Sequence, residues 1–278
     1  MKYLLYNPLS GKGEAKNDAE SLEVVANDRC EVVDITKISN FKDFLEILCE
    51  GDEVYIFGGD GTLNRFINEI GEAHLTNDIY YYSSGTHNNF AVDVKSESKP
   101  ILINHYIKRL PYVTVKDKKY RFINGITFGL DSYCVELEKR QKESGQTKTY
   151  TSNAIHGVFS AFKPIGVTLE VDNRRTHIKK VWTSAITFGT HCGSGMIPAP
   201  RQKRGSSDRK VSLTLLHSSG KLKTLFIIPS ILKGKHLRYK KNISVLSGNR
   251  INLKFDKEIS IQIDGEILNN VKELSVNV

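Results

Sequence analysis

The sequence is short of several things, and each scarcity removes a class of protein. Its four cysteines, Cys30, Cys49, Cys134 and Cys192, are far apart and form no C-x-x-C pair. That excludes a disulfide framework, and reduced thiols in a cytoplasmic protein become the expectation. The histidines show no metal-ligand spacing with Cys or acids, so no zinc site is expected. No apolar run approaches the ~20 residues needed to cross a bilayer, and the longest, near residues 225–232, is interrupted by Pro229. Residues 1–13 lack the apolar core of a signal peptide. Membrane contact is therefore expected to be peripheral. There is no internal repeat, no low-complexity tract, no Gly-Lys-Ser/Thr P-loop and no dinucleotide fingerprint.

What is present suits an ordinary globular chain. At roughly 150 residues per domain, 278 residues suggest two domains. A net charge of +9 favours anionic partners, namely nucleotides, nucleic acid or an anionic membrane. Lys and Arg thicken at residues 116–121, 174–180, 201–210 and 233–241. No nucleic-acid motif accompanies them, so nucleic acid is not an expected partner.

Two textures follow each other along the chain. Strands are expected at 3–6, 32–35, 54–57 and 79–82, and helices at 14–29, 41–48, 63–70 and 100–110. Leu63, Phe66, Ile67 and Ile70, for example, fall at i, i+3, i+4 and i+7. Strands separated by helices imply crossovers and a parallel sheet. From Tyr112 onward, segments 120–128, 165–171, 179–188, 211–217, 250–255 and 259–263 are rich in β-branched and aromatic residues, as in a β-sandwich or barrel. Helices at 132–142 and 151–162 and a mobile loop at 143–148 interrupt them.

Four motifs carry chemistry. Gly58-Gly59-Asp60-Gly61-Thr62 stands between an expected strand and helix, where a tight turn and the unpaired N–H groups of a helix start suit phosphate. Ser84-Gly85-Thr86-His87-Asn88-Asn89 is a second such turn. Asn7-Pro8-Leu9-Ser10-Gly11-Lys12 follows the first strand and belongs to the same sheet edge, where α/β folds bind ligands. Asp264-Gly265-Glu266 puts two carboxylates around a glycine at a strand end, a pattern that is also an ordinary hairpin turn.

In this order and spacing, together with Phe122-Ile123-Asn124-Gly125, Gly129-Leu130-Asp131, Met196-Ile197-Pro198-Ala199-Pro200 and Gly234-Lys235-His236, these motifs resemble the bacterial-type lipid kinases of the diacylglycerol kinase catalytic domain family, within the diacylglycerol kinase and NAD kinase superfamily. The resemblance implies an amino-terminal three-layer α/β domain with a parallel sheet, followed by a β-sandwich. Residues 1–112 would bind nucleotide, completed by about 267–278, and 113–266 would hold the lipid. It implies ATP and Mg²⁺ as cofactors and a lipid hydroxyl, diacylglycerol first, as acceptor at an anionic membrane surface. Asn7, Ser10, Gly11, Lys12, Gly58, Gly59, Asp60, Gly61, Thr62, Gly85, Thr86 and Asn88 would contact nucleotide. Asp60 and Asp208 would hold metal, and Asp264 would be the base, supported by Glu266.

Three positions depart from the family pattern: Arg65 replaces a glutamate, Asn89 an aspartate, and Thr114 is the nearest match to another aspartate. An NAD kinase and a kinase-fold protein that binds nucleotide or lipid without efficient turnover stay open as alternatives. So does a homodimer.

Overall fold

The computed structural model describes residues 1–26, 28–85, 88–96, 99–145, 149–205 and 208–278. The chain divides into two compact units, Met1–Leu110 and Pro111–Val278.

The first unit runs β1 (Lys2–Tyr6), α1 (Glu14–Val25), β2 (Cys30–Asp34), α2 (Phe41–Glu46), β3 (Glu53–Gly58), α3 (Asp60–Ile70), β4 (Asp78–Ser83), α4 (Asn89–Val94), β5 (Ile101–Leu102) and α5 (Asn104–Ile107). The sheet order is β2-β1-β3-β4-β5, parallel except for β5. Side chains alternate between its faces. Leu4, Tyr55 and Phe57 pack with Ala15 and Ala19 of α1 on one face. On the other, Tyr3 meets Phe44 edge-on at 5.5 Å, and Phe41 of α2 meets Phe66 of α3 at 5.2 Å. Helices thus cover both faces, as expected for three layers. Residues 100–110 correct the sequence reading. In place of one helix, Ile101 and Leu102 pair with β4 and a single turn follows, tied to the sheet because Asn104 Oδ1 accepts from Ile79 N at 2.8 Å. An apolar run this short does not reveal its period.

The second unit is β-rich: β6 (Tyr112–Val115), β7 (Lys118–Arg121), β8 (Gly125–Gly129), α6 (Leu130–Glu143), α7 (Tyr150–His156), β9 (Ile165–Val171), β10 (Arg174–Thr187), β11 (Val211–His217), α8 (Lys221–Leu232), β12 (Ile243–Gly248), β13 (Arg250–Ile263) and β14 (Glu266–Asn277). Its sheet runs β12-β11-β10-β8-β13-β14-β6-β7, with β9 paired to β10 and β13. Residues 267–278 do not complete the first unit. As β14 they pair with β13 and β6, because the Asp264-Gly265 turn folds them straight back as a hairpin. α8 passes through Pro229 and ends three residues later. No helix among the described residues is long and apolar enough to cross a membrane. Of the loop expected at 143–148, residues 146–148 lie outside the described residues.

His236, in the turn after α8, is fully buried, and its Nε2 must donate to Pro198 O at 2.9 Å because a carbonyl can only accept. Burial holds its pKa below the ordinary histidine value, partly opposed by the Pro198 carbonyl; burial lowers His217 in the same way. The unfolded chain therefore binds more protons than the folded one between the depressed pKa values and about 6.5, and stability rises with pH across that window. The carboxylates held low by partners, Asp28, Asp34 and Asp52, act elsewhere, losing stability only as pH falls below about 4. Urea midpoints should rise as pH increases toward about 6.5 and level off above, with a shallower rise in His236→Gln. A flat wild-type profile would show that these histidines do not set the acid limit.

Candidate active site

In the order β2-β1-β3-β4, the chain leaves β1 toward one side and returns to β3 on the other. Sheets of this kind take ligands outside the carboxyl ends of the strands at that reversal. Three turns emerge there, after β1, β3 and β4.

After β1, Asn7 Oδ1 accepts from Leu9 N at 2.9 Å, and Asn7 Nδ2 donates to Thr62 Oγ1 at 2.7 Å. Ser10 Oγ lies 3.4 Å from the same Thr62 oxygen. After β3, Gly59 is the N-cap of α3 and brings no side-chain cap, so the helix presents its first N–H groups and positive dipole end at this edge. After β4, Ser84 N donates to Gly58 O at 2.9 Å, and Asn88 braces Gly85 through its N–H (3.0 Å) and carbonyl (2.7 Å).

The turns touch, which is why glycine occupies them. A Cβ on Gly85 would lie 2.6 Å from Gly59 Cα, and one on Gly58 would lie 2.5 Å from Thr62 Oγ1. A Cβ on Gly11, where φ is +58°, would collide with Ser84 O. Around Gly61 a Cβ would meet nothing within 4 Å, so packing does not demand glycine there. The structure therefore gathers Asn7, Ser10, Gly11, Gly58, Gly59, Thr62, Gly85 and Asn88. Thr86 lies outside the described residues, as does the Lys12 side chain. Sequence reasoning missed Asp18 of α1, whose carboxylate accepts from Ser84 Oγ at 2.6 Å; nothing in its sequence surroundings marks it.

In the second unit, Asp264 and Gly265 form the two-residue turn of the β13–β14 hairpin, with φ of 44° and 104°. These are the left-handed values such a turn needs. The Asp264 carboxylate points back into the unit and is 8% exposed. It accepts three backbone N–H groups, from Ile123 (2.6 Å), Asn124 (3.0 Å) and Gly125 (2.8 Å). Arg204 holds the other side of this loop, donating to Ile123 O and to Asn124 Oδ1. Burial, then the charges of Asp131 and Asp264, push the neighbouring Cys192 thiol well above its ordinary pKa, so it stays a protonated, unreactive thiol. Glu266 is exposed at the start of β14.

Sequence profiles divide the chain as its folding units do. That of the diacylglycerol kinase catalytic domain matches residues 2–110, and that of the YegS C-terminal NAD kinase β-sandwich-like domain matches residues 124–276. The chain belongs to this family of diacylglycerol kinase-type, NAD kinase-like proteins. A Staphylococcus epidermidis protein named as a candidate lipid kinase is 25% identical over 78% of this chain and 70% of its own. Another from Staphylococcus carnosus is 21% identical over 78% and 71%. Among solved structures, that of a candidate diacylglycerol kinase from Bacillus anthracis covers 99% of this chain and 91% of its own, with a TM-score of 0.68 at 16% identity. That likeness establishes the fold.

Against the family pattern, the structure explains one departure. Arg65 turns away from the glycine turns: it donates to Glu69 at 2.6 Å and to Ile38 O at 3.1 Å, and its guanidinium lies 5.1 Å from the Phe41 ring centre. Glu69 in turn accepts from Phe41 N at 3.0 Å. The arginine thus fastens the start of α2 to α3, with its charge paired to Glu69. Asn89 is buried, and its N–H donates to Asp60 Oδ2 at 2.6 Å. Thr114 lies in β6, opposite Ser275 of β14.

The expected metal residues, Asp60 and Asp208, lie apart from any cluster of ligands that could hold an ion alone. Among the described residues, no three His, Cys, Asp or Glu side chains gather to hold an ion. Both oxygens of Asp60 accept N–H groups at the start of α4, at 2.6 and 3.2 Å, and Asp208 is exposed with Lys210 Nζ 3.7 Å away. These side chains fit the way Mg²⁺ travels with ATP, keeping waters and phosphates and at most one or two carboxylates, rather than a cage made by the protein.

Proposed function

We propose that this protein is a lipid kinase that transfers the γ-phosphate of MgATP to the hydroxyl of diacylglycerol. The observation that carries the reading is the contact among three glycine-bearing turns at the strand-order reversal, beside an uncapped helix N-terminus. Phosphoryl transfer asks a protein mainly for positioning and for donors aimed at the phosphates. Backbone N–H groups of the α3 start, with the Asn7 and Ser10 side chains and Thr62 Oγ1 between them, supply that. Close-packed glycines let the phosphates approach the backbone itself. In this reading the first unit holds the nucleotide, and the second supplies Asp264 as the base that takes the acceptor hydroxyl proton. Asp60 orients the turn after β4 through α4 and has a metal-facing role only through the nucleotide's own Mg²⁺.

One observation favours a second reading, a binding protein with weak turnover. A carboxylate that accepts three N–H groups is a good clamp for the loop at residues 123–125, and those lone pairs are already engaged when an acceptor hydroxyl arrives. Purified protein incubated with labelled ATP, Mg²⁺ and a lipid panel in mixed micelles, with NAD offered separately, tests both. Label in diacylglycerol and none in NAD is expected. Label in NAD alone would replace the acceptor class, and label nowhere, with ATP still bound, would favour the binding role.

A further inference from the structure

Two helical segments of the second unit turn large apolar side chains toward water. α7 and the π-helical turn after it (Gly157–Ala161) pack Ala154 and Val158 into a core shared with Trp182, yet Ile155 and Phe159 remain 45% and 50% exposed. α8 packs Ile227, Ile228 and Ile231 into the same core, yet Leu222 and Phe226 are 66% and 78% exposed. Each exposed pair is four residues apart, so each forms a strip along one helix face. Lys221 Nζ donates to Phe159 O at 3.0 Å, which sets the two strips side by side. Scattered exposed apolar residues need no explanation, but an adjoining group of four large ones does.

Along the chain segments that carry this patch the charge has one sign. Residues 144–169 and 209–255 contain no Asp or Glu, while Lys163, Lys221, Lys223, Lys233 and Lys235 lie along the same segments and are exposed. Two copies of this chain meeting through the patch would bring the same lysines together, a like-charge contact that opposes association. An anionic bilayer offers the complement to both features: apolar depth for the aromatic rings and phosphates for the ammonium groups.

We propose that the face formed by Ile155, Phe159, Leu222 and Phe226, on segments that carry these lysines, docks the protein on an anionic lipid bilayer, with both phenyl rings entering the interface. This deepens the lipid-kinase reading and rests on it only for the claim that the acceptor is drawn from that bilayer.

Sedimentation of the full chain with vesicles tests the docking without ATP or acceptor. Vesicles of phosphatidylcholine with about a third phosphatidylglycerol should carry the protein down at low salt, pure phosphatidylcholine should not, and about 0.5 M salt should release it. The double variant Phe159→Ser, Phe226→Ser should partition on the order of 10²-fold more weakly, since both rings leave an apolar phase. Lys223→Glu should weaken binding several-fold, and Val24→Ser, which trims an apolar side chain 85% exposed in the first unit, should change nothing. Trp182 fluorescence, from the core beneath the patch, reports whether each variant is folded. The proposal is overturned if the folded double variant sediments like wild type, if wild type ignores anionic vesicles, or if wild type is a dimer that the double variant makes monomeric. A wild type that binds vesicles and labels no lipid defeats the kinase reading alone; one that labels lipid in micelles and ignores vesicles defeats the docking alone.

Discussion

Gly59→Val should abolish ATP binding while leaving the protein folded. Gly59 has φ −91° and ψ −176°, extended values that a β-branched residue adopts without strain. The nearest atom to a new Cβ is Gly85 Cα at 3.3 Å, tight but short of the 2.6 Å collision that a Cβ on Gly85 would make with Gly59. Valine methyls would then occupy the space over the α3 start where phosphate approaches the N–H groups. Titration calorimetry should show ATP affinity reduced by at least about 100-fold, equivalent to roughly 2.7 kcal/mol. The melting temperature should move only a few degrees. Gly85→Val is the less informative variant, because it forces two backbones apart and is expected to destabilise the first unit outright. A folded Gly59→Val protein with unchanged ATP affinity would remove the nucleotide site from this edge.

Asp264→Asn should lower turnover by on the order of 10² to 10⁴-fold with ATP affinity unchanged, if Asp264 takes the acceptor proton. The geometry sharpens this test. Asp264 uses one oxygen for Ile123 N and the other for Asn124 N and Gly125 N, whereas asparagine has a single carbonyl oxygen. Its amide would face at least one buried N–H, at a cost of about 1–3 kcal/mol of stability. A loss of stability is therefore expected in either role and decides nothing. The pH profile decides: a base leaves an acid limb in the wild-type kcat profile that disappears in Asp264→Asn, whereas a clamp lowers kcat equally at every pH. A variant that keeps wild-type turnover would place the base elsewhere.

Restoring the family's acid by Arg65→Glu would not be a neutral repair. It would break the fastening of α2 to α3 and set a like charge against Glu69 one helical turn away. Activity lost in such a variant would speak of packing more than of metal binding, which the sequence alone would not have warned.

Much of the fold was legible because its period was. Leu63, Phe66, Ile67 and Ile70 advertise one helix face, and all four are buried. The glycine turns could be found because a backbone that must approach another backbone tolerates no Cβ, a constraint that writes itself into residue identity. Residues 100–110 and 267–278 were misassigned because short apolar runs fit either period and the destination of a strand depends on its partners. The burial of Asp264 among three N–H groups, the engagement of Arg65 with α2 and the Ser84–Asp18 bond had no local signal at all, and the apolar runs of α7 and α8 did not say which of their side chains would face water. The sequence by itself determined the family, the order of elements and the residue types at the phosphate turns, since those follow from periodicity and from backbone sterics. The tertiary structure alone decided which charges reach a site and which serve as fasteners, because hydrogen bonds between residues as distant as Asp264 and Ile123 exist only after the chain has folded.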